Sequence, residues 1–422
     1  MAPFRLMDAA KTEHLFDVLY TKLRALMTQK KKLAFAFLDA NDPNVAPNMK
    51  RYRLYNKADL EKEFFDGKNV TRTLRKLLNE LEIEGIDQNV WRISELGRRK
   101  LARHLGARVP FKRTDHQEML VFAVSNLKGG AGKSSLVMNL AFALSTYSRR
   151  ELRIAVIDLD PQASTTAILY PSFDESEHFS AGDLMRGNYE LEEGEDKAEF
   201  IRGCFLSTND PSVDILAARG DDADYDIEHR EAQMTASANG QVLHSGQDLQ
   251  PILDAVKDKY DIILIDTPPR LSEANFAAHM CANNIIIPLR PAQNDRDSSE
   301  KFLNSMRKIY RLQRSLGHAG YHSVNIINTA TTGSRTENRV AYELGQVLAG
   351  NVLPDFQYSE VINRLADSFM TAVEVSPSEY RADFKGNYRH CEAVHQNLAT
   401  IAAHIERIAS NIWDEQERLG NG

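Results

Sequence analysis

A glycine-rich loop flanked by two lysines is the segment of this sequence best suited to chemistry. It reads Lys128-Gly129-Gly130-Ala131-Gly132-Lys133-Ser134-Ser135 and lies between an apolar run ending at Ser125 and a helical pattern. Glycines let consecutive backbone N–H groups converge on phosphates, and the start of a helix adds its positive dipole end. Lys133 is suited to neutralise β- and γ-phosphate oxygens, and the Ser134 hydroxyl to ligate Mg²⁺. The alternative is a flexible glycine turn without a ligand.

Three aspartates follow two later apolar runs. RIAVIDLDPQAS places Asp158 and Asp160 after one run, and YDIILIDTPP places Asp266 after another. An aspartate at the end of a strand beside a nucleotide can hold Mg²⁺ through water or position the attacking water. Alone, each is equally explained as a helix cap or turn residue. Together with the loop, they predict a Mg-ATP site.

These three motifs resemble, in order and spacing, those of the ParA/MinD class of P-loop ATPases over residues 119 to about 380. That class has a deviant Walker A loop with an extra lysine at its start, here Lys128. The resemblance implies that Lys128 reaches the partner's phosphates across an ATP-sandwich homodimer and that Asp160 orients the hydrolytic water. It also implies that Asp158 and Asp266 support the Mg²⁺ shell. The expected activity is hydrolysis of ATP to ADP and phosphate.

Strand and helix patterns alternate from residue 119 onward. The apolar runs predict strands at 119–126, 153–159, 213–217, 261–266, 284–289 and 322–328. The helical patterns cover 133–146, 164–170, 247–257, 272–280, 297–314, 335–349 and 388–414. This alternation predicts an α/β fold, a mostly parallel P-loop NTPase sheet with helices on both faces. The acidic stretch between about 171 and 245 is expected to form loops and irregular elements.

The preceding residues predict a winged helix-turn-helix domain. The order is a helix at 57–65, a turn, a helix at 70–84, an extended piece at 90–93 and a helix at 95–104. The second helix is expected to bury Val70, Leu74, Leu77, Leu78 and Leu81. Its candidate DNA contacts are Thr71, Arg72, Thr73, Arg75 and Lys76, which suit phosphates and guanine edges in a major groove. The alternative is a solvated basic face.

Charge is distributed unevenly along the 422 residues. The net charge of −7 divides into +9 for residues 1–115 (24 Lys and Arg against 15 Asp and Glu) and −16 for the rest (28 against 44). The basic part is therefore a candidate nucleic-acid surface. Within it, apolar residues from Ala9 to Gln29 have helical spacing, which suits either a dimerising helix or packing on its own domain. The expected division is 1–45 for the dimerisation helix and linker, 46–115 for the winged domain and 116–422 for the ATPase.

The arrangement is similar to the larger plasmid-partition ParA proteins, with the phrases VSNLKGGAGKS, VIDLDPQAS and IIPLRPAQ carrying the likeness. It implies a homodimer that binds non-specific DNA with ATP, binds its operator with ADP, and meets a centromere-binding ParB-type partner that stimulates hydrolysis. Arg364 is the candidate for non-specific DNA contact, or else a surface charge. Asn328 and Pro354 are candidates beside the adenine, although Asn328 also suits a strand-end cap. Between 183 and 240 the match is weak.

Several other classes of protein fit the sequence less well. Cys204, Cys281 and Cys391 are far apart, which suits a reducing cytoplasm and opposes an iron–sulfur reductase with paired cysteines. No apolar run approaches the roughly 18 residues of a membrane span, so a cytoplasmic protein is expected. The resemblance to partition ATPases implies that it associates with the nucleoid. A MinD-like membrane-positioning ATPase would need a basic amphipathic carboxy-terminal helix, whereas this tail is mixed in charge. A transcription regulator that uses the ATPase as a switch stays open.

Overall fold

The first element is a long helix whose apolar side chains are exposed. In a computed structural model, which describes residues 9–35, 38–39, 42, 44–87, 90–290, 296–330, 335–357 and 359–421, helix α1 spans Ala9–Phe35. It therefore extends six residues beyond Gln29, the last residue of the helical pattern in the sequence. Leu19, Leu23 and Leu26 are 52%, 61% and 60% exposed. The side chain of Leu15, also part of the predicted apolar face, lies outside the described residues.

Short strands and three helices follow in the order that the sequence predicted. They are β1 (Leu54–Tyr55), α2 (Lys57–Phe65), α3 (Thr71–Glu80), β2 (Ile86–Asp87), β3 (Val90–Trp91), β4 (Ile93–Ser94) and α4 (Glu95–His104). β2 pairs with β3 and β1 with β4, both antiparallel. Leu60, Leu74 and Leu101 are fully buried between the helices. α3 ends at Glu80 rather than at the predicted residue 84, since positive φ angles at Glu82 (+49°) and Gly85 (+99°) turn the chain.

Runs of buried apolar residues form the main sheet, because strands covered on both faces need apolar side chains at nearly every position. β5 (Val109–Pro110) and β7 (Arg150–Glu151) pair with each other in a separate two-stranded sheet. The strands of the main sheet are β6 (Leu120–Val124), β8 (Ile154–Asp158), β9 (Leu206–Ser207), β10 (Val213–Leu216), β11 (Ile262–Asp266), β12 (Asn284–Leu289), β13 (Ser323–Ala330) and β14 (Phe356–Gln357). Their order is β14-β13-β12-β6-β11-β8-β10-β9, with only the β9–β10 pair antiparallel. The predicted α/β fold is confirmed.

Helices cover both faces of this sheet. The chain order is α5 (Lys133–Tyr147), α6 (Ser164–Leu169), α7 (Ala181–Arg186), α8 (Lys197–Gly203), α9 (Tyr225–Ala238), α10 (Gly246–Val256), α11 (Glu273–Cys281), α12 (Arg296–Ser315), α13 (Arg335–Leu348), α14 (Glu360–Ala366), α15 (Pro377–Asp383) and α16 (Tyr388–Gly420). α5, α14 and α16 pack on the face that carries Phe122 and Ile286. α10, α11 and α12 pack on the opposite face, against Ala123 and Ile285.

The acidic stretch is more regular than its composition suggested. Between 171 and 245 the expectation of loops and irregular elements was wrong, since α7, α8, α9 and strand β9 lie there. Two of these helices, α7 and α8, begin at side-chain caps: the Ser180 hydroxyl accepts from the backbone of Asp183, and Asp196 caps α8 in the same way. α7 and α8 are only six and seven residues long, and the buried residues of α9 are Tyr225 and His229, so hydrophobic periodicity does not reveal these helices.

The basic amino-terminal part is less cationic on its surface than in sequence. Arg98, Arg99, Arg108 and Lys50 are only 1% to 5% exposed. Arg98 pairs with Glu95 at 2.7 Å, and Arg99 pairs with Asp210 at 3.1 Å. Burial alone would raise the pKa of Glu95, but the guanidinium groups of Arg98 and Arg99 outweigh burial and lower it. These four cations therefore offer nothing to nucleic acid, and the count of +9 overstated the basic surface.

The same arginines join α4 to the carboxyl end of α5. Arg99 donates to the Ser145 hydroxyl at 2.8 Å, and Arg108 donates to the Ser148 carbonyl at 3.1 Å. Upstream, Asn48 donates to the Leu169 carbonyl at 2.9 Å. Residues 46–115 thus make buried polar contacts with the unit that follows. The division at residues 45 and 115 stays a prediction.

Candidate nucleotide-binding site

The glycine-rich loop joins β6 to α5 as predicted. Gly130 and Gly132 have φ angles of +72° and +80°, a region that favours glycine. Gly132 is also the residue from which α5 starts, and a Cβ there would lie 3.4 Å from Thr329 Cγ2. Gly129 and Gly130 are exposed, while Ala131 is buried. The first N–H groups of α5 have no partners within the helix, which makes this end a site for anions.

The two lysines of the loop occupy different environments. Lys133 is buried, and burial lowers the pKa of its ammonium group while Asp266 and Asp160 raise it. Lys128 is exposed, and its backbone N–H donates to Asn126 Oδ1 at 2.9 Å. Asn126 in turn donates to the Pro288 carbonyl at 2.7 Å, which fixes the start of the loop against β12. One lysine is therefore buried beside the predicted aspartates, and the other is exposed.

Strand register brings the predicted aspartates to one edge of the sheet. Asp266 at the end of β11 lies opposite Asp158 on β8 and Val124 on β6. Asp158 Oδ2 accepts from the backbone and hydroxyl of Thr166 at 2.9 and 2.8 Å, and its Oδ1 accepts from the Asp160 backbone at 3.1 Å. Burial, followed by the neighbouring Asp266, raises the pKa of Asp158. Both oxygens of Asp158 are thus already engaged.

Asp266 is the carboxylate best placed to support a metal ion. Its Oδ2 accepts from the Thr165 hydroxyl at 2.7 Å, while its Oδ1 is buried and has no hydrogen-bond partner. Burial raises the pKa of Asp266 to about 6, against the lowering effects of Ser134, Thr165 and Lys133. A buried carboxylate oxygen without a donor, beside a serine hydroxyl, fits a hydrated Mg²⁺. Ser134 and Asp266 are the residues that would hold it.

The remaining ligands of such an ion would be oxygens of phosphate and water. Among the described residues, no group of three or more His, Cys, Asp or Glu is placed to hold a metal. This suits Mg²⁺, which keeps several waters and binds protein through one or two carboxylates. Asp160 is buried nearby, where its Oδ1 accepts from the Gln162 backbone at 3.0 Å. Ser135 follows Ser134 in α5, and its carbonyl accepts from Asn139 at 2.7 Å.

The predicted adenine contacts lie beside the loop. Asn328 is buried on β13, directly before the Thr329 that faces Gly132. Its Nδ2 donates to Asp355 Oδ1 at 2.9 Å, whereas its Oδ1 is buried without a partner. Pro354 is the half-buried neighbour of Asp355. An amide oxygen without a donor at this position suits an exocyclic amine of a base.

Sequence reasoning missed side chains that hold the site in place. Thr165 and Thr166 bond the two strand-end carboxylates, as described above. His279 Nε2 lies 2.9 Å from the hydroxyl of Ser125, the residue that follows β6, and Asn275 Nδ2 donates to this hydroxyl at 3.4 Å. Burial lowers the pKa of His279 to about 4, so the ring is neutral at physiological pH. The signal available in sequence was a polar pair at i and i+4 within an otherwise apolar helix.

The candidate DNA contacts lie away from this edge. On α3, Arg72, Thr73 and Lys76 are exposed. The hydroxyl of Thr71 instead donates to Asn69 at 2.7 Å, and the Arg75 guanidinium lies 5.7 Å from the centre of the Trp91 ring. Arg364 is exposed on α14. The structure therefore presents most of the α3 candidates and Arg364 on separate elements.

Two further findings concern the alternatives. No helix within the described ranges has both the length and the apolar character to cross a membrane. Cys204, Cys281 and Cys391 are free thiols, two of them buried and Cys281 partly so.

Comparison with known proteins agrees with the site. A family profile described as an AAA domain matches residues 119–317. Plasmid partition protein A of Escherichia coli is 29% identical over 311 residues, covering 72% of this chain and 76% of that protein. A ParA family protein of Chlamydia muridarum is 27% identical over 271 residues, covering 62% of this chain and 94% of its own length. In relatives from Sinorhizobium fredii and Rhizobium rhizogenes, the match spans 49% and 46% of their length.

A solved structure described as a partition protein shares the fold over nearly the whole chain. Its TM-score is 0.61 at 20% identity, covering 96% of this chain and 99% of that one. The likeness therefore includes the amino-terminal helical region as well as the sheet. With the lysine-flanked loop and the aspartates at the ends of β8 and β11, the chain is therefore similar to the ParA/MinD class of P-loop ATPases.

Proposed function

We propose that this chain is a Mg-ATP-dependent partition ATPase that segregates a low-copy plasmid or replicon. The observation that carries the proposal is the division of labour between the two loop lysines, one buried beside Asp266 and one exposed. In the ParA/MinD class the lysine at this place reaches the phosphates held by the partner subunit, and the exposure of Lys128 is compatible with that role. The similarity to a plasmid partition protein of Escherichia coli supports the biological role.

The residues divide the catalytic work as follows. Backbone N–H groups of the loop and of the α5 start bind the phosphates, and Lys133 offsets their charge from inside. Asp160 positions the attacking water, and Thr165 and Thr166 hold the carboxylates of Asp266 and Asp158 in place. Mg²⁺, when bound at Ser134 and Asp266, supplies charge stabilisation on the phosphates. Lys128 of each subunit completes the site of the other, so dimer closure and catalysis are linked.

DNA is the proposed target of this switch. In the ATP state, the homodimer binds chromosomal DNA without sequence preference, with Arg364 among the contacts. In the ADP or apo state, α3 binds the operator through Arg72, Thr73 and Lys76 and represses transcription. A centromere-binding ParB-type protein stimulates the slow hydrolysis and releases the dimer. The protein then works in the cytoplasm, on the nucleoid and not on a membrane.

Gel shifts with ATP, ADP and no nucleotide, on operator and random DNA, test this proposal. We expect random DNA to shift with ATP alone and operator DNA to shift best with ADP. The variant Arg72→Ala with Lys76→Ala should lose operator binding and keep ATP-dependent binding to random DNA. Arg75 is left in place because its guanidinium stacks on Trp91, so its loss would also loosen the domain. If operator binding is the same with ATP, with ADP and without nucleotide, and random DNA is not bound at all, the result would instead favour a simple transcription regulator.

A further inference from the structure

A cationic face on α12 is the strongest surface feature that the nucleotide site does not explain. Residues 301–336 contain no Asp or Glu, although the chain has a net charge of −7. α12 carries five exposed cations, Lys301, Arg307, Lys308, Arg311 and Arg314. We call this set the α12 basic face.

Helix geometry collects these cations on one side. At 3.6 residues per turn, they fall within an arc of about 140° and extend over about 20 Å. The opposite arc packs on the sheet: Met306 and Gln313 are buried, and Leu303 and Ile309 are partly buried against β12 and β13. The core therefore fixes which side of α12 meets solvent, and that side is the basic one.

The charge of the α12 basic face has no carboxylate partner within the part of the chain that the structure describes. Among the described residues, none of its five cations forms an ion pair, and Arg307 donates to the neutral Asn304 Oδ1 at 3.1 Å. The arginines near α4 contrast with this, since they are buried and paired with Glu95 and Asp210. Like charges three and four residues apart, as at 307, 308, 311 and 314, destabilise a helix. Stability alone does not account for the arrangement.

We propose that the α12 basic face binds the phosphate backbone of double-stranded DNA without reading its sequence. A row of cations about 20 Å long matches several successive phosphates, and the release of condensed counterions drives such binding. The inference rests on the proposed function, because it assigns a surface to the ATP-dependent, non-specific DNA binding. The α12 basic face is a second candidate DNA surface beside Arg364, which is exposed on α14; α14 packs on the other face of the sheet.

An anionic membrane is the competing polyanion. Helices that lie on membranes insert an apolar arc between the lipids. Here that arc is already buried in the protein, and Leu312 is the exposed large apolar residue among the described side chains of α12. DNA needs only the charges, which favours it over lipid.

A matched pair of charge variants tests the proposal. The first replaces Arg307, Lys308, Arg311 and Arg314 by Ala. The control replaces Arg381, Lys385, Arg389 and Arg407 by Ala, which removes the same three arginines and one lysine from exposed positions on and between α15 and α16. Because α16 covers the opposite face of the sheet, the control has the same net charge without touching the α12 basic face.

The readout is the affinity for random-sequence duplex DNA with a non-hydrolysable ATP analogue, measured across salt concentrations. The α12 variant should bind at least about tenfold more weakly near 0.1 M salt, and its log–log salt slope should fall by about 3 to 4. The control should stay within about threefold of wild type. Replacing Arg307, Arg311 and Arg314 by Lys should retain most of the binding, and nucleotide binding by every variant shows that the fold is intact.

The outcomes separate this proposal from the proposed function. If the α12 variant binds random DNA with the same affinity and salt slope as the wild type, the role of α12 is overturned. The proposed partition ATPase would not be affected by that result. Equal losses in the variant and the control would also overturn it, because net charge would then be the cause. A wild-type protein that ignores random DNA in every nucleotide state would overturn both. Loss of binding to phosphatidylserine vesicles with unchanged DNA binding would assign the face to lipid.

Discussion

At the scale of single residues, the contrast between the two loop lysines predicts different effects on nucleotide binding and on dimer closure. Lys133→Ala should abolish nucleotide binding, because the buried ammonium group beside Asp266 is the interior partner of the phosphates. Lys128→Ala should retain nucleotide at weaker affinity but lose ATP-dependent dimer closure. Equilibrium nucleotide binding, together with light scattering, separates the two effects.

Lys128→Arg provides the control for this pair, since it keeps the exposed charge and should retain part of the closure. The proposed role in the partner's site does not survive if Lys128→Ala closes and hydrolyses ATP at the wild-type rate.

The raised pKa of Asp266 makes the nucleotide-free protein sensitive to pH. Burial raises the pKa of Asp266 to about 6 in the folded state, above the ordinary carboxyl value of about 3.9. Between those values the native state holds more protons than the unfolded state, so stability falls as pH rises and the loss is complete above about pH 6. Asp266→Asn should therefore stabilise the nucleotide-free protein at pH 7.5, by about 3 kcal/mol.

Urea unfolding without nucleotide, at pH 5.0 and 7.5, measures this effect. The gap between wild type and Asp266→Asn should shrink at the lower pH, and Mg-ATP should stabilise only the wild type strongly. An equal stability of both proteins at both pH values would show that the carboxylate is ionised at no cost.

At the scale of elements, α1 offers a face that described parts of the chain leave uncovered. Leu23 and Leu26 are 61% and 60% exposed on a helix of 27 residues. A second copy of α1 would bury this stripe, which is the usual solution for an amphipathic helix. Leu23→Glu with Leu26→Glu should therefore reduce the nucleotide-free protein to a monomer of 47.6 kDa, as measured by light scattering.

Thr21→Glu with Thr28→Glu is the matched control, because these exposed positions lie on the other side of α1 and add the same charge. If the leucine variant keeps the mass of the wild type, α1 is not the dimer contact.

The elements also show which local signals were sufficient. Strands such as Ile154–Asp158 and Ile262–Asp266 are continuous apolar runs, and sequence placed each to within one or two residues. The helix at 181–186 was missed because it has only six residues and depends on a side-chain cap and on ion pairs with distant partners, such as Arg219 with Asp183 at 2.6 Å. The helix at 225–238 was missed because its buried residues are Tyr225 and His229, which give little apolar periodicity. Likewise, the glycine-rich loop and the strand-end aspartates could be predicted from the sequence. The His279 contact to Ser125 could not, because it depends on the packing of α11 against β6.

At the scale of the whole molecule, the buried arginine cluster joins the amino-terminal helices to the ATPase unit. Sequence reasoning counted Arg98 and Arg99 as surface charge, because their partners are set by tertiary structure: Asp210 lies 111 residues from Arg99. Breaking a buried ion pair by removing one partner costs about 3 to 5 kcal/mol. Asp210→Ala should lower the free energy of unfolding by about that amount, as measured by chemical denaturation.

An ion pair at the same junction that is more exposed than the arginine cluster, with Glu151 16% exposed, gives the control. Arg103 and Glu151 lie 2.6 Å apart, with Arg103 46% exposed, so Glu151→Ala should cost less than about 1 kcal/mol. Similar losses from both substitutions would mean that burial of the arginine cluster contributes little to joining the two units.

Helix α5 begins at the phosphate loop and ends among those arginines, at Tyr147. It is a stiff rod of about 22 Å. A tilt of only about 5° at the nucleotide end would displace the far end by about 2 Å, more than the hydrogen bonds of Arg99 and Arg108 can stretch. A tilt of α5 is thus coupled to the amino-terminal unit. Either this unit rotates together with α5, or its contacts prevent α5 from tilting. In the second case, the hydrogen bonds of Arg99 and Arg108 would limit how far a bound nucleotide can displace the phosphate loop.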